Sequence, residues 1–327
     1  MHQMEEIIEP ISPDLIVKEL TKDKLLRKTN KGGNELYVVT QHDSPNVMRE
    51  IGRLREISFR TAGGGVGLSC DIDDYDTMEH PYHQLIVWNP EDKEIIGGYR
   101  YLHGSEVSFF EDGSPKLTSS HLFAYSEKFI KEFLPYTIEL GRSFVRPEYQ
   151  SSRMGAKSLY ALDNLWDGLG ALMVTIPQSK YFFGKATIYP SFKEDARAFI
   201  MYFMHKYFPD NDHLVFPKKP VLFDDRKYEL DKIFCGSNYK EDYSILKKQI
   251  KLLGHNIPPL INAYMSLSPT MRTFGSCIND EFNDVLETGL MITIEEIFEE
   301  KRIRHVQTYM EEKLSGNNME TGYGKIC

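Results

Sequence analysis

The spacing of apolar residues along the chain changes between two periods, and each period predicts a different kind of element. Apolar residues at every third or fourth position predict helices, whereas short alternating or continuous apolar runs predict strands. The predicted strands cover residues 36–40, 84–88, 95–102, 136–146, 171–176, 273–279 and 285–294. The predicted helices cover residues 15–28, 44–59, 126–133, 159–172, 195–208, 241–253, 259–267 and 295–314.

A strand, a polar turn and the start of a helix follow one another between Tyr136 and Lys157. Pro147 ends the strand because proline cannot donate a hydrogen bond to a ladder. The polar turn that follows opens directly into an apolar run with helical spacing. Backbone N–H groups at such a turn and helix start bind anions. Glu139 and Arg142 lie on the strand just before this predicted anion site, and an interior strand with that much charge calls for an explanation.

Composition adds a local charge asymmetry to this picture. The 327 residues carry a net charge of −9, which argues against nucleic-acid binding. Residues 141–220 nevertheless contain 11 Lys and Arg against 7 Asp and Glu, while the remainder contains 28 against 41. A basic middle in an acidic chain indicates an anionic partner, although ordinary fluctuation explains the same numbers.

The cysteines and the termini indicate the compartment. No CxxC or other metal-ligand spacing is present among Cys70, Cys235, Cys277 and Cys327. The N-terminal residues are acidic and lack the apolar core of a signal peptide, and no run of about 18 apolar residues occurs. We therefore expect a cytoplasmic protein with reduced thiols and without a bound metal or cofactor.

No shift in composition marks a boundary within the central part of the chain. We predict one mixed α/β domain over residues 36–300, preceded by a helical arm over 1–35 and followed by a helix and tail over 301–327. The expected fold class is α/β (α+β), with a mixed central sheet flanked by helices and an extended C-terminal part.

The order of the predicted elements resembles the GNAT fold, the superfamily of N-acyltransferases that use a pantetheine thioester. In that superfamily the turn after the central strand reads Gln/Arg-x-x-Gly-x-Gly/Ala and binds the donor. Here an arginine, Arg153, replaces the first glycine. This departure favours the single phosphate of a carrier protein's phosphopantetheine over coenzyme A. The resemblance implies that the donor is bound by Phe144, Val145, Gln150, Arg153, Gly155 and Lys157.

A series of charged residues resembles two narrower groups, the acyl-homoserine-lactone synthases and the N-acyltransferases that make lipoamino acids such as ornithine lipid. Those families carry an Arg four residues before a Phe, an Asp-x-x-Asp loop, an Arg at the end of a hairpin strand and Glu-x-x-Arg on the central strand. The far end of the chain, which extends beyond the lactone synthases, is similar to the lipoamino-acid branch. The matching residues, in the same order, are Arg55, Phe59, Asp73, Asp76, Arg100, Glu139 and Arg142.

The resemblance implies a role for each charged residue. Glu139 and Arg142 are the catalytic candidates, but a neighbouring cation makes a carboxylate a poorer base, so a structural Glu–Arg pair is the alternative. Five residues, Arg55, Phe59, Asp73, Asp76 and Arg100, are expected to bind the amino acid. Ion pairing of the same arginines with the same aspartates is the alternative, and both readings place this cluster in the interior.

The implied reaction moves a long fatty acyl chain, 3-hydroxylated in some donors, from acyl carrier protein to the α-amine of ornithine or glycine for aminolipid synthesis. Its partners are the carrier protein, the amino acid and, peripherally, the inner membrane surface. The carrier is expected to meet Lys180, Lys185, Lys218 and Lys219, with plain solubility as the alternative role of these lysines. The acyl chain is expected to meet a set of apolar residues for which ordinary core packing is the alternative: Trp166, Met173, Phe182, Phe183, Phe199, Phe203 and Met204. The alternatives are a short-chain acyl-CoA enzyme acting on a small amine and a non-catalytic fold that binds lipid or protein.

Overall fold

The computed structural model describes residues 4–150, 156–222 and 229–320. Its strands are β1 (Leu25–Lys28), β2 (Glu35–Val39), β3 (His83–Asn89), β4 (Glu94–His103), β5 (Phe123–Tyr125), β6 (Thr137–Val145), β7 (Tyr181–Ile188), β8 (Val215–Pro217), β9 (Arg272–Asn279) and β10 (Val285–Thr293). Its α-helices are α1 (Pro13–Glu19), α2 (Pro45–Ala62), α3 (Asp74–Thr77), α4 (Ala156–Thr175), α5 (Glu194–Tyr207), α6 (Leu230–Ile233), α7 (Tyr239–Leu252), α8 (Pro259–Met265), α9 (Glu299–Arg302) and α10 (Thr308–Glu320).

Eight strands form one sheet in the order β1-β2-β3-β4-β6-β7-β10-β9. Neighbouring strands are antiparallel, except that β6 and β7 are parallel. Helices α4 and α5 cover one face, and α2 covers part of the other. The predicted fold class, a mixed sheet flanked by helices, is confirmed.

The parallel pair β6–β7 separates along its length. Its paired residues run from Thr137 to Glu139 on β6 and from Tyr181 to Phe183 on β7. Beyond that point β6 pairs with β4, and β7 pairs with β10. The second halves of two central strands therefore leave a gap in the middle of the sheet, and this gap holds the candidate site.

A β-bulge changes the face of the sheet to which the side chains at the end of β6 point. Arg100 lies opposite Gly141 and Gly98 lies opposite Phe144, so β6 has an extra residue here. Arg142 adopts a positive φ of 49°, which is uncommon for a residue other than glycine. Because of the bulge, Ile138 and Phe144 belong to cores on opposite faces although six residues separate them.

Two predicted elements differ from the structure. The strand predicted over residues 171–176 is instead the end of helix α4, which runs to Thr175, and the strand of that region is β7. A continuous apolar run fits a buried helix and a buried strand equally well, which explains this error. The helix predicted over residues 15–28 ends at Glu19, and Leu25–Lys28 instead forms an edge strand paired with β2. The domain boundaries remain a prediction.

The C-terminal helical segment is held against α4 and β1. His305 Nδ1 lies 2.8 Å from an Asp167 carboxylate oxygen, and Tyr309 donates a 2.9 Å hydrogen bond to the Leu26 carbonyl. Within residues 4–150, 156–222 and 229–320, no helix is both long and apolar enough to cross a membrane.

The Gly170→Ala variant is expected to lower the free energy of unfolding by about 1–3 kcal/mol, the usual cost of overpacking. A Cβ at this position would lie 2.1 Å from the His305 carbonyl oxygen, so the C-terminal segment would have to move. Urea unfolding measures the change. Gly141→Ala is the control, because its Cβ would meet nothing closer than 3.5 Å. Equal stabilities of the two variants would contradict the prediction.

Candidate active site

A cavity of about 510 Å³ fills the gap between β6 and β7. This volume lies within the range of small-molecule sites. Part of its lining, here called the apolar wall, comes from the end of β6, from α4 and from the start of α8, and consists of Leu140, Val145, Ala161, Leu162, Leu165, Pro259 and Leu260. Another part, here called the polar wall, consists of Asp73, Arg100, His121, Arg142, Lys185, Thr187, Asn279, Glu281 and Glu287.

A buried ion cluster links Asp73 and Arg100 of the polar wall to Arg55 and Asp76 behind it. Arg55, on the inner face of α2, places Nη1 3.0 Å from Asp76 Oδ2, and both side chains are fully buried. Arg100 on β4 places Nη1 3.1 Å from the same oxygen and 2.7 Å from Asp73 Oδ1. Gln84 Nε2 donates to Asp76 Oδ1 at 2.9 Å. Two cations therefore share one buried carboxylate.

Local sequence fixes the two aspartates of this cluster. Asp73 caps helix α3 by accepting hydrogen bonds from the N–H groups of Tyr75 and Asp76, and the Asp76 carboxylate accepts from the N–H of Asp73. This reciprocal arrangement is a capping box. The Asp-x-x-Asp spacing thus forms a helix cap first, and the cap aims both carboxylates at the arginines.

The charges of the cluster strongly shift the pKa values of two of its members, Asp76 and Arg100. Burial alone would raise the pKa of Asp76, but the charges of Arg55 and Arg100 outweigh it and hold this pKa well below its usual range. Burial alone would lower the pKa of Arg100, but Asp76 and Asp73 raise it well above its usual range. Asp76 and Arg100 are therefore charged at neutral pH.

The predicted amino-acid residues divide between the cavity and its support. Phe59, Asp73 and Arg100 line the cavity, whereas Arg55 and Asp76 lie behind it. The cluster is interior, as expected, and the ion pairing given as the alternative is present. Binding of the substrate by these residues remains a prediction.

Arg142 and Glu139 do not pair with each other. Arg142 Nε lies 3.0 Å from Asp71 Oδ2, and its guanidinium lies 4.7 Å from the centre of the Phe282 ring. The carboxylate of Asp71 is buried, with 1% of the side chain exposed, whereas 17% of the Arg142 side chain is exposed. Arg142 therefore reaches the cavity with its cation already bound to a buried acid.

Glu139 is enclosed by the loop that precedes β5. Its Oε2 accepts hydrogen bonds from the Tyr82 hydroxyl and from the Thr118 N–H at 3.1 Å. Its Oε1 accepts from the Ser119 hydroxyl and from the Ser119 N–H at 3.0 Å. Burial and the nearby carboxylate raise the pKa of Tyr82 well above its usual range, so this phenol stays a donor. With 2% of its surface exposed, Glu139 is not part of the cavity lining.

The predicted donor residues are only partly described. Phe144, Val145 and Gln150 line the cavity, and Gln150 Nε2 donates to the Val145 carbonyl at 2.6 Å. Lys157 lies in the first turn of α4. Arg153 and Gly155 lie outside the described residues. Donor binding by this set remains a prediction.

The residues expected to meet the acyl chain do not border this cavity. Phe182, Phe183, Phe199, Phe203 and Met204 are core residues, and Trp166 and Met173 pack against the same core. Apolar spacing identifies a buried face but not the space that it faces, so contact of these residues with an acyl chain remains a prediction. Of the four lysines expected to meet a carrier, Lys185 lines the cavity, whereas Lys180, Lys218 and Lys219 are exposed.

Several polar residues of the site are absent from the series of charged residues that carries the resemblance. Lys185 and Thr187 lie on β7, Glu287 faces Thr187 from β10, and His121 lies in the loop closed by Glu139. Thr187 Oγ1 donates to Glu287 Oε2 at 3.3 Å, and 5% of Glu287 is exposed. A charged residue in the apolar run of β10 is the signal that could have identified Glu287. No local pattern marks His121.

Comparisons with known proteins agree with this geometry. Residues 54–159 match the acetyltransferase (GNAT) domain family. A glycine N(alpha)-acyltransferase from Bacteroides thetaiotaomicron is 62% identical over 94% of this chain and 91% of its own length. A glycine N(alpha)-acyltransferase from Phocaeicola vulgatus is 58% identical over 98% of both chains.

Two solved structures are more distant. Both are of BjaI, a CoA-dependent acyl-homoserine lactone synthase, one with SAM and isopentyl-CoA and the other with MTA. The first is 16% identical with a TM-score of 0.29 and covers 47% of this chain and 67% of its own. The second is 14% identical with a TM-score of 0.31 and covers 68% and 90%.

Proposed function

The chain belongs to the family of the glycine N(alpha)-acyltransferases and is a GNAT N-acyltransferase, and from this premise we propose its substrates. It moves a long fatty acyl chain, with or without a 3-hydroxyl group, from acyl carrier protein to the α-amine of glycine. The product is an N-acyl amino acid for aminolipid synthesis, made in the cytoplasm or at the inner membrane surface. The observation that carries this proposal is a single cavity with both an apolar and a polar wall.

The polar wall fits a small zwitterion. Arg142 and Lys185 supply cations for a carboxylate, and Glu281 and Glu287 supply carboxylates for an ammonium group. Arg142 is held by Asp71, so its guanidinium is oriented before the substrate arrives. Glycine, whose amine and carboxylate are two bonds apart through one carbon, needs both charges within this one wall.

The apolar wall fits a hydrocarbon chain. It begins at the β6 bulge, where a backbone N–H group of Phe144 or Val145 is proposed to polarise the thioester carbonyl. Burial contributes about 0.8 kcal/mol for each methylene, so a long chain adds donor affinity that a short one lacks. Exposed Lys218 and Lys219 are proposed to meet the acidic carrier.

The test is release of free thiol from long-chain acyl carrier protein by the purified chain, with mass spectrometry of the product. We expect turnover with glycine and compare it with ornithine and with the other standard amino acids. Thiol release no higher than the blank with all of them would sink the proposal. Tight coenzyme A binding in calorimetry, without any interaction with the carrier, would instead favour the short-chain acyl-CoA alternative.

The Leu162→Trp variant tests whether the apolar wall measures chain length. Leu162 lies on α4, half-buried and in contact with the cavity. Excluding about three methylenes removes about 2.4 kcal/mol, or roughly 50-fold in kcat/KM for the longest donor. Short donors are expected to be used as before. Leu162→Met, of similar volume, is the control, and an equal loss for short and long donors would contradict the prediction.

A further inference from the structure

We propose that the imidazole of His121 is the base that takes the proton from the substrate amine, and that Glu139 is a positioning residue for it. This inference rests on the proposed function, because it assigns a step of the same reaction. It differs from the sequence-based expectation, in which Glu139 and Arg142 are the catalytic candidates.

The bonding of Glu139 argues against a role as base. Its two carboxylate oxygens together accept four hydrogen bonds, two from hydroxyls and two from backbone N–H groups. An ammonium group could reach these oxygens only after the loop at Thr118 and Ser119 had opened. A general base must lie within hydrogen-bond reach of the proton that it removes. Glu139 instead holds this loop in place through its hydrogen bonds to Thr118 and Ser119.

His121 receives its orientation through that anchor. Glu139 holds the N–H of Thr118, and the carbonyl of the same residue lies 2.9 Å from His121 Nδ1. A carbonyl oxygen can only accept, so in the neutral ring Nδ1 carries the hydrogen and the lone pair lies on Nε2. The side chain lines the cavity and is 31% exposed, so Nε2 is within reach of a substrate.

The surroundings of His121 favour its neutral form. Burial and the positive charge of Lys185, which approaches from β7, lower the pKa of His121 below its ordinary value near 6.5. Glu281, whose Oε2 lies 3.8 Å from Nε2, and hydrogen bonding to Thr118 and Asn279 act in the opposite direction but do not reverse the shift. At neutral pH the imidazole is therefore ready to accept a proton.

The step balances as follows for a glycine zwitterion and an acyl thioester. His121 Nε2 takes one proton from the ammonium group, and the freed amine attacks the thioester carbon. A C–N bond forms and the carbonyl becomes an oxyanion. When the C–S bond breaks, the imidazolium returns its proton to the departing sulfur. The remaining extra N–H proton leaves to solvent, so the products are an amide, a thiol and one proton.

Glu287 is the rival base on the polar wall. It is a carboxylate, 5% exposed, whose contacts to Thr187 at 3.3 Å and to Asn279 at 3.5 Å leave it less occupied than Glu139. Its place on β10, behind Thr187, suits a group that holds the ammonium. The pH dependence distinguishes the two, because a carboxylate and an imidazole ordinarily titrate in different ranges.

The experiment compares kcat/KM against pH for the wild type and for His121→Gln, His121→Ala and Lys185→Met, with glycine and acyl carrier protein. The wild type is expected to gain activity as the pH rises through the lowered pKa of His121. His121→Gln should lower kcat/KM by about 10²–10³-fold, a usual size for a removed general base. It should also abolish this rise of activity with pH, here called the acid limb. Added imidazole should restore activity to His121→Ala. Lys185→Met should move the limb to higher pH, because a cation that lowers the pKa is gone.

His83→Gln is the matched control, since 33% of the His83 side chain is exposed and its Nε2 lies 3.3 Å from a Glu106 oxygen, away from the cavity. It should keep both rate and pH profile. A His121→Gln enzyme with an unchanged acid limb, or loss of that limb in Glu287→Gln alone, overturns the assignment while the proposed function stands. If the wild type itself acylates no amino acid, the proposed function is overturned and the assignment fails with it.

Discussion

Asp76→Asn is expected to lower the free energy of unfolding by about 3–5 kcal/mol, the usual result of breaking a buried ion pair from one side. The carboxylate is fully buried and lies 3.0 Å from Arg55 and 3.1 Å from Arg100. Without its charge, the two guanidinium groups face each other in the interior, and Arg55 keeps only neutral acceptors, the Gln84 side chain and the carbonyl of Asp71.

The pH dependence of stability gives this prediction a second readout. The pKa of Asp76 is lowered in the folded state, so its contribution is complete above the unfolded pKa near 4 and is lost as the pH falls towards the folded pKa. The difference in stability between wild type and Asp76→Asn should therefore be constant from neutral pH down to about 4 and should shrink below it.

Denaturant unfolding across this pH range measures both effects. Asp74→Asn is the control, because Asp74 lies in the same short helix but is exposed, and it should leave stability nearly unchanged. The double variant Arg55→Met/Asp76→Leu should lose less than the sum of its single changes, since it leaves no unpaired charge from this pair. Additive losses in the free energy of unfolding, or an Asp76→Asn protein as stable as the wild type, would contradict the predicted contribution of the ion cluster to stability.

Much of the scaffold could be predicted from the sequence because local patterns determine it. The strands at residues 36–40 and 84–88 and the helix at 44–59 lie within a few residues of β2, β3 and α2. The Asp-x-x-Asp spacing of Asp73 and Asp76 acts locally as a capping box, and it could be assigned to the same interior cluster as Arg100.

The contacts of Glu139 and Arg142 could not be predicted, because they depend on a bulge and on distant segments. Residues three apart on a regular strand point to opposite faces, and the extra residue in β6 changes that relation. Their acceptors and donors, Asp71 and the loop at Thr118, lie some 70 and 20 residues away in the chain. Glu287 and Lys185 come together only when β10 pairs with β7. His121 joins them through the loop that Glu139 holds.

The separation of β6 from β7 explains why chemistry concentrates at this place. A parallel pair that stops after Glu139 leaves the rest of both strands without a shared ladder. The polar side chains that line the resulting cavity come from β4, β6, β7, β9 and β10 and from the loops beside them. Rigid strands thus hold most of the charged groups, and the loop that carries His121 is fixed to the same sheet through Glu139.

Glu139→Gln is expected to lower kcat for glycine acylation by about 10²-fold or more while leaving the pH of the acid limb unchanged. An amide offers one acceptor oxygen where the carboxylate offers two, so one of the N–H groups of Thr118 and Ser119 loses its acceptor. That loss costs about 1–3 kcal/mol of stability and lets the loop shift, and with it the imidazole of His121. The residual activity still comes from the imidazole, so it should rise over the same pH range as in the wild type.

Tyr82→Phe is the graded control for this prediction. It removes one of the four hydrogen bonds to Glu139 but leaves both backbone N–H groups bound, so the loop should keep its position and most of its activity. Steady-state kinetics and thermal unfolding of both variants separate the two roles of the carboxylate. If Glu139 were itself the base, Glu139→Gln would abolish the acid limb, and His121→Gln would retain it. A limb that persists in Glu139→Gln and disappears in His121→Gln assigns proton transfer to the imidazole and positioning to the carboxylate.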